Sequence, residues 1–284
     1  PYIFPNITIK AVSIKFSESI DETQNAKKIA EHFGAEHDII EVDNYLEILP
    51  SAIGITEMPF WDNHWYFISQ FASKKSKFLA SGDGGDEIFG GYVFRYENFL
   101  SQINSNSTPI EKVKAYLNCH ERDWVIDQNQ IFGNKSNFSW DSIHSILLPF
   151  FDNPLNPLEQ VFLADYNGKL QYNFSHVNNS INHHFGLKSI SPLLSNDLIS
   201  LLPHCDYQNK YDKSQNIGKI LLRKLLNNFD INHLISKTKL GCSVNTLNLW
   251  KNHGKKIFDY YLENGNVIKD GWINSEWVSK YYNK

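Results

Sequence analysis

The sequence predicts an α/β fold: a parallel sheet with flanking helices, followed by a mainly helical carboxy-terminal part. Three observations carry this. Over residues 1–100, short apolar runs rich in β-branched residues alternate with segments of helical periodicity, a pattern that sets parallel strands with helices on the sheet faces. Over residues 101–284 strand-like runs become rare, and helical patches such as EKVKAYLNC and GKILLRKLLNNF dominate. At 284 residues, 42% hydrophobic and 14% aromatic, the chain can bury a sizeable core in one large domain or two smaller ones.

Taken in order, TIKAVSIKF (Thr8 to Phe16) reads as a buried strand. A helix follows in SIDETQNAKKIAEHFG. Ser19 or Asp21 caps its start, Ala26, Ile29, Ala30 and Phe33 share one face, and Gly34 closes its end. EHDIIEVD is a second strand. Helical segments around Tyr45 to Ile53 and Asn63 to Lys75 lead to KFLAS, a run of strand length ending at Ser81. The polar stretch LSQINSNSTP (Leu100 to Pro109) reads as a linker between the two parts. No internal repeat is present.

The balance of charge excludes some classes of function. A net charge of -4 leaves no basic excess for a phosphate backbone, so nucleic acid is not an expected partner. Three cysteines, Cys119, Cys205 and Cys242, lie far apart without zinc-site spacing, which points to a reducing cytoplasm. Neither a membrane-spanning run nor a signal-peptide pattern is found, so no membrane association is expected. The sequence has no initiator methionine and enters a strand within a few positions, and it reads as a piece of something longer. His176, His183 and His184 make no ligand set, because adjacent residues on a helix point to different faces.

The chemistry concentrates in FLASGDGGDEIFGGY, Phe78 to Tyr92. In an open parallel sheet, ligands sit beyond the carboxyl ends of the strands, which is where this stretch would emerge. Glycines let backbone N–H groups converge on an anion, and a helix expected to start near Asp86 would add its positive end. Asp83, Asp86 and Glu87 would repel a bare phosphate, so a divalent cation between carboxylate and phosphate is implied, with Asp86 its candidate ligand. A tight strand-to-helix turn with solvated acids is the alternative, for the stretch is neither a P-loop nor GxGxxG.

SGDGGDEIFGGY resembles the signature of the asparagine synthetase family, SG-(E/D)-G-(G/S/A)-DE-(L/V)-FGGY. IDETQNAKKIAEHFGAEHDIIEV, TEMPFWDNHW, KILLR (Lys219 to Arg223) and KTKLG (Lys237 to Gly241) resemble further family segments in the same order. The resemblance implies an ATP-pyrophosphatase synthetase domain of adenine nucleotide alpha hydrolase-like fold. It implies a nucleotide-binding part in residues 1–100 and a helical part in 101–284 that completes the site. It also implies an ATP-dependent ligase: a carboxylate attacks the α-phosphate of Mg-ATP, and ammonia or an amine then displaces AMP from the acyl-adenylate.

By the same resemblance Ile14 would line the adenine pocket, and Ser81, Gly82, Gly84 and Gly85 would meet the nucleotide. Asp86 would hold magnesium, and Asp83 would help proton transfer from the amine. Lys219 and Arg223, four apart on one helix face, would clamp pyrophosphate, and Lys239 would stabilise charge on the adenylate or tetrahedral intermediate. Glu57 and Asp62 match the segment that approaches the acyl site, and the acid is aspartate or a relative.

Departures accompany the match. The family's phosphate loop, SGGxDS, and its glutaminase half are absent from the sequence and are expected elsewhere in a full protein. Asn179, Ser180, Lys188, Ile190 and Ser195 stand where the family carries a charged network and an acid, and Cys242 stands where it carries phenylalanine. Two further readings stay open: a variant acting on another carboxylate, and a degenerate, non-catalytic scaffold.

Overall fold

Strand β1 (Lys10–Phe16) pairs in parallel with β2 (Glu36–Val42), Ile14 opposite Ile40, and α1 (Thr23–His32) makes the crossover between them. The computed structural model that shows this describes residues 6–17, 20–58, 64–120, 128–235, 246–263 and 265–282. At the head of α1 the Asp21 carboxylate accepts the Thr23 hydroxyl at 2.6 Å and the Thr23 N–H at 2.9 Å. Those bonds hold its carboxyl below the usual value. Gly34, at φ 66°, ends the helix in a left-handed conformation that glycine adopts without strain. A tight turn at Tyr45–Ile48, its tyrosine and Leu46 both buried, runs into α2 (Leu49–Thr56). Then follow α3 (Trp65–Ala72) and β3 (Phe78–Ala80).

The chain divides into two compact units, Pro1–Gly91 with Tyr166–His253, and Tyr92–Asp165 with Gly254–Lys284. The second unit begins with α4 (Val93–Gln102), α5 (Pro109–Asn118), α6 (Gln128–Ile131), α7 (Trp140–Phe151) and α8 (Pro157–Ala164). Tyr96, Phe99, Val113, Phe151 and Val161 are all buried within it. Within it, Asp165 accepts the Tyr116 hydroxyl at 2.7 Å and lies 3.4 Å from Arg95. Burial, and then the Asp165 carboxylate, push the Tyr116 hydroxyl well above its ordinary value.

The expected linker runs inside this unit instead, as the turn between α4 and α5. Its polar residues serve local hydrogen bonds: Thr108 and Glu111 form a reciprocal cap at the start of α5, and the Ser107 hydroxyl accepts the Asn104 N–H at 3.0 Å.

Residues returning to the first unit form α9 (Ser175–His184), β4 (Lys188–Ile190) and α10 (Asn196–Leu201). A two-residue antiparallel pair follows, β5 (Tyr211–Asp212) with β6 (Ile217–Gly218), and then α11 (Ile220–Asn227). β4 lies parallel to β3, with Leu79 opposite Ser189. The fold is thus α/β with small parallel sheets, β1 with β2 and β3 with β4. β1, expected to be buried, is half-buried, because among the described residues its backbone is paired on one edge alone. No helix among the described residues is long and apolar enough to cross a membrane.

Candidate functional site

The glycine-rich stretch leaves the end of β3 and stays a chain of turns. The Ser81 N–H completes the parallel ladder on the Ile190 carbonyl at 2.9 Å, and the Gly85 N–H closes back on the Gly82 carbonyl at 3.1 Å. Gly84 and Gly90 take φ of 84° and 72°, so no helix begins near Asp86, and α4 starts only at Val93. The expected helix end beside Asp86 is therefore absent, since left-handed residues interrupt the helical ladder. A side chain at Gly84 would collide with Leu194. Ile88, Phe89 and Leu202, with Leu193 and Leu194 packed on them, anchor the turn to apolar neighbours. Among the described residues the N–H groups of Gly82 and Gly84 take no partner, an arrangement suited to an anion.

Two carboxylates of this turn have different partners. The Asp83 Oδ2 accepts the Ser81 hydroxyl at 2.7 Å and the Asn178 Nδ2 of α9 at 2.7 Å. Asp86 faces a cation instead: the Lys219 ammonium lies 2.9 Å from its Oδ1. Gly91 packs against this pair so closely that a side chain there would overlap both Asp86 and Lys219.

Lys219 stands just before α11 in the left-handed region, φ 58°, where a side chain costs about 1–2 kcal/mol. Its N–H bonds the Phe89 carbonyl at 3.1 Å, and the Ile220 N–H bonds the Lys210 carbonyl at 3.2 Å. Strain of this kind, held by its surroundings, clusters at functional sites. Lys219 lies one turn before Arg223, whose N–H bonds the Lys219 carbonyl at 2.8 Å. The Arg223 Nε donates back to the Gly218 carbonyl at 3.0 Å.

The structure thus brings together Ser81, Asp83, Gly84, Gly85, Asp86 and Lys219, with Gly82 in the same turn. Ile14 lies half-buried in the middle of β1, in the other parallel pair. Glu57 ends α2 exposed, and among the described residues its side chain takes no hydrogen bond or ion pair. Lys239, Asp62 and Cys242 lie outside the described residues. Asn178 was missed by sequence reasoning. Its signal was a polar side chain on the apolar face of α9, one residue after the buried Val177.

A sequence model of the asparagine synthase family matches residues 6–284. The chain belongs to the asparagine synthase family. Its relatives include asparagine synthetase (glutamine-hydrolyzing) 1 of Bacillus subtilis, 22% identical over 306 residues that cover 95% of this chain and 48% of that protein. A "Putative asparagine synthetase (glutamine-hydrolyzing)" of Mycobacterium bovis is 32% identical over 150 residues, 47% of this chain and 23% of that protein. One numbered 2 from Methanocaldococcus jannaschii is 34% identical over 86 residues, 28% and 17% of the two. The chain therefore spans about half the length, or less, of these relatives.

Membership of the asparagine synthase family bears on the donor set. Among the described residues no group of three or more His, Cys, Asp and Glu could hold a metal ion. Asp86 at the open turn fits magnesium held mainly by phosphate and water, the usual state of this ion, and a caged site does not fit.

Proposed function

We propose that the full-length protein is an ATP-dependent ligase that forms an amide bond as an asparagine synthetase does. The observation that carries this is the division of labour between the two carboxylates: Asp86 is set against a cation, while Asp83 is oriented by neutral donors. On this reading the substrate carboxylate, of aspartate or a related acid, attacks the α-phosphorus of ATP and pyrophosphate leaves. Ammonia or an amine then attacks the acyl carbon, AMP leaves, and the proton lost from nitrogen passes to Asp83.

Backbone N–H groups of Gly82 and Gly84 bind the nucleotide with Ser81 and Gly85 beside them, and Ile14 lines the adenine pocket. Lys219 and Arg223 hold the departing pyrophosphate, and Lys239 stabilises the charge that develops at the reacting centre. Asp86 would hold magnesium, which would supply charge neutralisation at the phosphate oxygens. We read the two parallel pairs as parts of one adenine nucleotide alpha hydrolase-like sheet, with residues 1–100 binding nucleotide and 101–284 completing the site. A phosphate loop upstream and a glutaminase domain elsewhere complete the cytoplasmic enzyme; the relatives named as glutamine-hydrolyzing support glutamine as nitrogen source.

Asp86→Asn is expected to weaken magnesium-dependent ATP binding by more than about tenfold, a loss of about 1.4 kcal/mol. Stability is expected to change by about 1 kcal/mol or less, because the pair with Lys219 is partly exposed. A magnesium titration of nucleotide binding checks this, and unchanged magnesium dependence removes Asp86 from the ligand set.

The charged positions replaced by Asn179, Ser180, Lys188, Ile190 and Ser195 favour a degenerate scaffold as the second reading. Pyrophosphate release from ATP, with aspartate and related acids, separates the two. The full-length protein is expected to release it at least about a hundredfold faster than residues 1–284 alone, which lack the loop donors. A full-length protein silent with every acid supports the scaffold.

A further inference from the structure

Asn178 lies on the buried face of α9, 4% exposed. A carboxylate oxygen accepts hydrogen bonds and donates none, so the amide end that meets Asp83 Oδ2 at 2.7 Å is the Nδ2 group. Its other end, Oδ1, is buried and has no partner among the described residues. Asn182, one turn further along the same helix, makes the contrast. Its Oδ1 accepts the Ser69 hydroxyl at 2.6 Å and its Nδ2 donates to the Ser189 hydroxyl at 2.7 Å, so both ends are satisfied.

An asparagine that serves packing between elements is expected to be satisfied as Asn182 is. Asn178 leaves a buried acceptor unmade while directing its donor at one carboxylate, an exception to the rule that buried polar groups are paired. Ser81 binds the same carboxylate oxygen from two residues away, whereas Asn178 reaches it from α9, 95 residues on in sequence.

We infer that Asn178 is a positioning residue for amide formation: it locks Asp83 through Oδ2 and leaves Oδ1 as the oxygen that takes the proton from the attacking amine. The inference rests on the ligase reading. In the step it serves, the new N–C bond forms at the acyl carbon, the bond to AMP breaks, and one N–H proton moves to Asp83. Among the described residues Asp83 Oδ1 takes no hydrogen bond, so it is open to that proton. Formation of the adenylate moves no proton to Asp83, and the two half-reactions therefore separate the role from a structural one.

The test uses the full-length protein with ATP, aspartate and ammonium chloride. Asn178→Leu, similar in volume, removes both the donor and the orphaned acceptor. Aspartate-dependent exchange of labelled pyrophosphate into ATP is expected to stay within about threefold of wild type. Amide formation is expected to fall at least about thirtyfold in kcat, with the KM for ammonium changed less than about threefold. If the leucine variant does not fold, Asn178→Ala is read in the same two assays with the same expectations. Exchange and amide formation falling together, or both staying at wild-type rates, overturns the inference alone. A wild type that shows no exchange overturns the ligase reading, and the inference with it.

Discussion

Lys239→Ala in the full-length protein is expected to lower amide formation by about 10²–10³-fold while the far-ultraviolet circular dichroism and the melting temperature stay those of wild type. The expectation comes from place in sequence: Lys239 stands two residues before Gly241 in KTKLG, after KILLR, in the order in which the family carries its basic segments. The tetrahedral intermediate formed by amine attack carries an oxyanion that the acyl-adenylate before it lacks. A fixed cation aimed at that charge acts in the transition state more than in the ground state, so its loss falls on kcat more than on substrate binding. Single-turnover amide formation, with ATP and aspartate saturating, checks this. Near wild-type turnover removes Lys239 from the mechanism.

The largest expected effect on stability lies in the second unit. Asp165→Ala is expected to destabilise the protein by about 3–5 kcal/mol, because it leaves the Arg95 guanidinium buried without its carboxylate. Asp165 is fully buried and the Arg95 side chain is 6% exposed. Arg95 retains the His120 Nε2 at 2.9 Å and the face of Tyr92 at 4.1 Å, neither of which neutralises its charge. Tyr116 loses its acceptor as well. Urea unfolding measures the change; a loss under about 1 kcal/mol, the value typical of an exposed pair such as Lys75 with Asp38, contradicts the argument. Because the Tyr116 hydroxyl is held protonated above its ordinary 10.0, its contribution is complete below about pH 10 and is lost as pH rises further.

Local rules read much of the fold correctly where they had no competitor. The apolar run of β1, the periodicity of α1 and the closing Gly34 all appear in the structure, because strand alternation, helical spacing and left-handed glycine are properties of neighbours in sequence. They misread two places. Asn104, Ser107 and Thr108 suggested a linker by composition, yet they close a turn and cap α5. The acids after Gly84 suggested a helix start, yet Gly84 and Gly90 take conformations that a helix excludes.

By itself, then, the sequence determined the order of the first three strands and the helices between them, the glycine-rich turn with its two carboxylates, and the family whose segments it carries in order. Only the tertiary structure decided that Tyr166–His253 packs with Pro1–Gly91, that Lys219 rather than solvent faces Asp86, and that Asn178 meets Asp83 at the price of its own carbonyl. Periodicity and turn preference act over a few residues. Which distant donor meets a given carboxylate depends on how whole elements pack, and a left-handed lysine before α11 is tolerated only because its backbone is held from outside the helix.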